Sequence, residues 1–254
     1  MCKCDRSPRG YVRDVDPLDA FFTAAAAPAQ PNQSLIDGIT CLEALAGMRE
    51  PIGSRALARE IGLEPTRVNR LLKTLAYIGL VEQDARRRYT PGPGIHALAA
   101  RALFGSGLAQ RSLAPLSTLE DLNLSVALGV LWRGSVSYLY HAEPGMDRLE
   151  GVGRLGIYPA VESSLGHVLM AEQARLGAPD AALYGMDRSE LARWTAQGYA
   201  FVPGFGDDVR SIAVALQSAQ AAIGVSGVFS DESVDEIVRR IRAVAQQIDE
   251  RMTG

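Results

Sequence analysis

Thr66, Asn69, Arg70 and Lys73 stand in the segment EPTRVNRLLKTLAYIG at spacings that would place them on one side of a helix, together with Tyr77. Val68, Leu71, Leu72, Leu75 and Ile78 recur on the other side at the spacing of a buried face. Arginine matches the O6/N7 edge of guanine with two hydrogen bonds, and asparagine matches N6/N7 of adenine. Thr66, Arg67, Asn69 and Arg70 lie near the expected helix N-terminus, the end that reaches base edges in helix-turn-helix arrangements. Arg67 projects near the border of the buried face. Lys73 suits a phosphate, as do Arg86, Arg87 and Arg88 in the polar turn that follows Leu80 and Val81. These eight residues are the candidate DNA contacts. The plain alternative is a solvated basic face on a core helix.

Charge is distributed accordingly. The chain of 254 residues carries a net charge of only −3. From Pro65 to Thr90, six Lys/Arg face two acids, whereas from Pro91 onward 13 Arg are outnumbered by 18 Asp/Glu. A basic module joined to an acidic one confines phosphate attraction to one end.

A second group of residues offers small-molecule chemistry. Ser163 and Ser164 open an expected helix whose unpaired N–H groups suit a carboxylate. Ser211, Ala213 and Ala215 share one side of an expected strand, and Gly224 and Ser226 share one side of the next. Small and hydroxylated residues there either leave room for a ligand or admit a closely packed helix. Catalysis is not expected. The three histidines are His96, His141 and His167. Ser164 and His167 are three residues apart on one helix, and no Gly-x-Ser-x-Gly surrounds a serine. Cys2 and Cys4 lack partners at metal spacing, and with Cys41 they make no disulfide framework, so neither metal nor cofactor is expected. No apolar run reaches the roughly 18–20 residues of a membrane span. The first residues lack the apolar core of a signal peptide, so a cytoplasmic protein is expected.

Residues 1–33 mix Pro, Arg and Asp and read as a flexible arm. A helix is expected from Ser34, with Ser34 and Asp37 in a capping-box-like start and Leu35, Ile39, Leu42 and Ala46 as its buried stripe. A second helix from an N-cap at Ser54, a tight turn at Ile61-Gly62-Leu63 and the helix opened by Pro65 complete a trihelical unit with a wing, over residues 34–92. Residues 93–107 read as a linker helix. Residues 108–254 begin with an amphipathic helix carrying Leu113, Leu116, Leu119 and Leu122. A hairpin follows (Val126–Trp132 and Val136–His141), then helices at Ser164–Arg175 and Arg188–Gln197. Strands are expected at Tyr199–Val202, Ser211–Leu216 and Ala221–Phe229, and a final helix with a Ser233/Glu236 capping box. The class is α+β with a largely antiparallel sheet.

In this order the segments resemble the IclR family of bacterial transcriptional regulators, over roughly Ser34 to Met252. The resemblance is carried by SRALAREIGLEPTRVNRLLKTLAYIGLVEQDARRRYTPGPG, by SSLGHVLMA, and by GYAFVPGFGDDVRSIAVAL with AAIGVSGVFS. It implies an N-terminal winged helix-turn-helix on double-stranded operator DNA, a linker helix, and a GAF/PAS-like effector-binding domain. It also implies assembly as a homodimer or dimer of dimers. The family's effector pocket falls at positions matching Ser164, Leu165, Ser211, Gly224 and Ser226, which implies a small organic or aromatic acid. Three positions depart from the family's habit. His167 follows Gly166 where lysine is common, Ser211 replaces a frequent cysteine, and Val202-Pro203 replace a usual acidic residue. The alternative function is a metabolite sensor or interaction module whose winged helix binds protein.

Overall fold

The computed structural model describes residues 29–147, 149–152, 156–175, 186–204, 208–218 and 220–254. Most of the expected arm lies outside them. Two compact units result, one ending at Ser106 and the other running from Gly107 to Gly254.

The first unit is built from α1 (Gln33–Ala46), β1 (Ile52–Gly53), α2 (Ser54–Ile61), α3 (Pro65–Tyr77), β2 (Val81–Gln83), β3 (Arg88–Pro91) and α4 (Pro93–Ser106). The three strands pair antiparallel in the order β1-β3-β2, so the wing is a hairpin braced by a strand that precedes α2. Cys41, Leu45, Leu57, Val68, Leu72, Leu75, Val81 and Tyr89 form its core. Each buried aliphatic there contributes roughly 1.5–3 kcal/mol relative to exposure. Several local expectations are corrected. Asn32, not Ser34, caps α1, accepting from Leu35 N at 3.1 Å. The buried side of α1 is Asp37, Gly38, Cys41 and Leu45, while Leu35 is exposed. The stripe is therefore turned by about one residue, because Gly38 lets Leu71 approach and Asp37 finds a cation inside the unit. Gly53, not Ser54, holds the N-cap position of α2. Ile78 is exposed, since α3 stops at Tyr77 and the chain turns through Gly79 at φ 76°.

The second unit has α5 (Leu108–Leu116), a 3-10 turn (Ser117–Leu122), β4 (Ser125–Trp132), β5 (Ser135–Ala142) and β6 (Ile157–Pro159). It continues with α6 (Ser164–Arg175), α7 (Arg188–Gln197), β7 (Ala200–Pro203), β8 (Arg210–Ala215), β9 (Ala221–Gly227) and α8 (Val234–Thr253). Its six strands run in the order β6-β5-β4-β9-β8-β7, and every described pair is antiparallel. One face of the sheet takes α5 and α8, with Ile237, Ile241, Val244 and Ile248 buried. The other takes α6 and α7, with Leu165, Leu169 and Trp194 buried. Two expectations are corrected here as well. The leucine-rich opening is not one helix: it passes into a 3-10 turn just after Pro115, leaving Leu119 buried at the turn. The capping box of α8 does not form, since the Ser233 side chain gives no cap bond and pairs with Ser230 Oγ at 3.0 Å.

Candidate functional site

The face of α3 turned to solvent carries Thr66, Arg70 and Lys73, all exposed, with Asn69 half-buried beside them. Pro65 occupies the first helical turn, where its missing N–H costs nothing. Glu64 caps the helix, accepting from Arg67 N at 2.8 Å. Backbone N–H groups of Thr66 and Arg67 hold its carboxyl below the usual glutamate range. Arg67 does not point outward freely. Its guanidinium forms an ion pair with Asp37 on α1, a carboxylate only 2% exposed.

The wing turn is organised by Asp84. Its Oδ1 accepts from Arg86 N at 2.9 Å and Arg88 N at 2.8 Å, and its Oδ2 accepts from Arg88 Nε at 2.8 Å. The Arg88 backbone N–H, followed by its side chain, keeps the Asp84 carboxyl below the ordinary aspartate range. Arg87 adopts a left-handed φ of 60° and is exposed, as is Arg86. Of the three consecutive arginines, two project and one closes the turn. The sequence signal for that division was Asp84 itself, an Asx-turn former four residues before Arg88.

In the second unit the five residues expected at an effector pocket converge. Ser164 and Leu165 begin α6. Ser211 pairs with Ser226, and Ala213 with Gly224, across β8 and β9. Ser164 Oγ and Ser211 Oγ are 2.6 Å apart, and Ser211 Oγ also lies 3.3 Å from Val225 O. A Cβ on Gly224 would sit 2.8 Å from Leu165 Cδ1, so Leu165 occupies the space that this glycine leaves. Close packing accounts for Ala213 and Gly224, whereas Ser211 and Ser226 in the neighbouring row are half-buried.

Two further residues of this neighbourhood, Tyr138 and Trp194, were not singled out from sequence as binding residues. Tyr138 on β5 shares a hydrogen bond with the buried Ser163 Oγ at 2.9 Å. Trp194 on α7 stacks on His167, ring centroids 4.4 Å apart. The indole Nε1 and His167 Nδ1 are buried without a hydrogen-bond partner. His167 Nε2 meets Val161 O at 2.7 Å, so the imidazole is directed to the backbone rather than to Ser164. No serine–histidine pair is formed there. Among the described residues no three His, Cys, Asp or Glu are grouped to hold a metal ion, and Cys2 and Cys4 lie outside them. No described helix is long and apolar enough to cross a membrane.

A trihelical unit with a basic wing and a six-stranded sheet layered by helices define a winged helix-turn-helix protein with a separate α+β unit. The IclR helix-turn-helix domain family matches residues 35–85. A structure from Silicibacter sp., described as an IclR transcriptional regulator, is 25% identical with a TM-score of 0.67, covering 87% of this chain and 96% of that one. The IclR family regulator of Brucella abortus is 22% identical with a TM-score of 0.68, covering 89% and 96%. An IclR homolog of Microbacterium hydrocarbonoxydans, solved with 4-hydroxybenzoate, is 22% identical with a TM-score of 0.61, covering 87% and 99%. Comparison with the curated proteins finds no match. The family match thus covers the helix-turn-helix segment, and the chain as a whole shares the fold of these regulator structures.

Proposed function

We propose that this protein reads double-stranded operator DNA with α3 and the wing, and that a small organic or aromatic acid bound in its second unit modulates that reading. The observation that carries the DNA reading is that one compact unit exposes Thr66, Arg70 and Lys73 on α3, with Asn69 half-buried beside them, and Arg86 and Arg87 on the wing. Asn69 and Arg70 take base edges; Lys73, Arg86 and Arg87 take phosphates. Arg88 serves by shaping the wing. The protein works in the cytoplasm as a homodimer or dimer of dimers, so that two reading helices meet two half-sites. The effector sits at Ser164, Leu165, Ser211, Gly224 and Ser226, where hydroxyls and the α6 N-terminus recognise a carboxylate. The 4-hydroxybenzoate of the Microbacterium homolog supports an aromatic acid as the first compound to try. For the effector to matter, it must bind the DNA-competent arrangement and its alternative unequally.

The test begins with selection of bound sequences from a random duplex library. Against the selected duplex, Arg70→Ala should lose about 1–3 kcal/mol and relax one base position. Arg87→Ala should weaken selected and random duplexes alike and reduce the log–log salt slope by about 0.9. Two unchanged affinities would sink the DNA reading and leave a winged helix that binds protein.

A further inference from the structure

We propose that Asp37 and Arg67 form a strut that seats the reading helix, so that Arg67 acts on DNA only through Asp37. The inference rests on the DNA reading above. Asp37 is the one buried charged side chain among the described residues; the other buried polar side chains are serines. Its Oδ1 accepts from Gln33 Nε2 at 2.8 Å, and its Oδ2 faces Arg67 Nε. Arg67 lies in the first turn of α3, its own N–H held by Glu64, and its side chain remains 34% exposed. Cys41, one turn further along α1, is close enough to register both charges. Its thiol is pushed up to about 11, by burial first and Asp37 second, with Arg67 opposing.

Geometry and energetics then point the same way. A guanidinium that leaves Asp37 for a base or phosphate strands a buried carboxylate, and breaking a buried pair by removing one partner is strongly unfavourable. Arg70, one helical turn away, is exposed and needs no such sacrifice. The pair ties the N-terminal turn of α3 to the middle of α1 and thereby sets the rotation at which Asn69 and Arg70 meet a groove. Arg67 is thus a positioning residue in a place where sequence alone reads a contact.

The experiment uses the full chain and the selected duplex, with Asp37→Asn, Arg67→Ala, the double variant and Arg70→Ala, measured across salt concentrations below the thermal midpoint of each. A strut predicts that Asp37→Asn and Arg67→Ala each weaken binding about tenfold, that the double variant is no weaker than either, and that the salt slope is unchanged. A direct contact predicts the opposite sign for one variant. Freeing Arg67 with Asp37→Asn would then preserve or raise affinity, and Arg67→Ala would lower the slope or relax a base position. That result overturns the proposal. So do variants that melt earlier yet bind normally while folded, which would make the pair a fold-holding contact only. If Arg70→Ala and Arg87→Ala also bind unchanged, the DNA reading fails and the strut fails with it.

Discussion

At His167 the two imidazole nitrogens have different fates. Val161 O can only accept, so Nε2 carries the proton that it receives, and Nδ1 keeps a buried lone pair against Trp194. Burial lowers the histidine's pKa from 6.5, and the Val161 carbonyl and Glu190 only partly oppose this. The neutral form is therefore favoured by folding. The unfolded chain takes up a proton before the folded one does, so the stability contributed by neutral His167 is complete above about pH 6.5 and declines as pH falls from there toward the lower folded value. His167→Gln should remove that decline. Thermal midpoints of the two proteins should differ by a constant above about pH 7, with wild type losing more than the variant on acidification. Parallel curves would show that the imidazole takes up its proton equally readily in the folded and unfolded chain.

At the scale of elements, Pro91-Gly92-Pro93-Gly94 is a welded junction between α3 and α4 rather than a loose joint. Gly92 N donates to Leu80 O and Gly94 N to Gly79 O, both at 2.9 Å. A Cβ on Gly94 would stand 2.7 Å from Gly79 O. Gly94→Ala should therefore cost about 1–3 kcal/mol through overpacking. In a domain of this size that lowers the thermal midpoint of the first unit by roughly 4–8 °C per kcal/mol. Gly105, near the other end of α4, meets nothing within 4 Å. Gly105→Ala should raise helix stability by about 0.5–1 kcal/mol. Equal effects of the two substitutions would show that the junction yields.

For the whole molecule, the unequal charge of the two ends suits the proposed division of labour, with phosphate bound at the basic segment and the signal at the acidic remainder. If 4-hydroxybenzoate is bound, its presence at about 100 times its Kd should add about 2.7 kcal/mol to stability. Ser226→Phe, which fills the half-buried end of the β8–β9 face beside Ser211, should abolish that gain while leaving operator binding intact. An undiminished thermal shift in Ser226→Phe would place the acid elsewhere.

The amphipathic pattern of α3, the wing arginines, the extents of α6 and α7 and the apolar face of α8 were all legible in the sequence, because each depends on periodicity within one element. What tertiary structure alone decided lies between elements. A helix reading treats an aspartate as outward-facing, so Asp37 hid the true buried side of α1 until Arg67, thirty residues away, was seen to meet it. Asp84 marks a turn before the three arginines, but that its carboxylate takes both the backbone and the side chain of Arg88 and leaves Arg86 and Arg87 projecting is decided by the folded turn. Ser164 and Ser211 are 47 residues apart in the chain and 2.6 Å apart in space. The reason is general to this protein. Local sequence dictates which face an element presents, whereas the partner that turns a charge into a strut or a serine into half of a pair comes from another element, and only packing brings the two together.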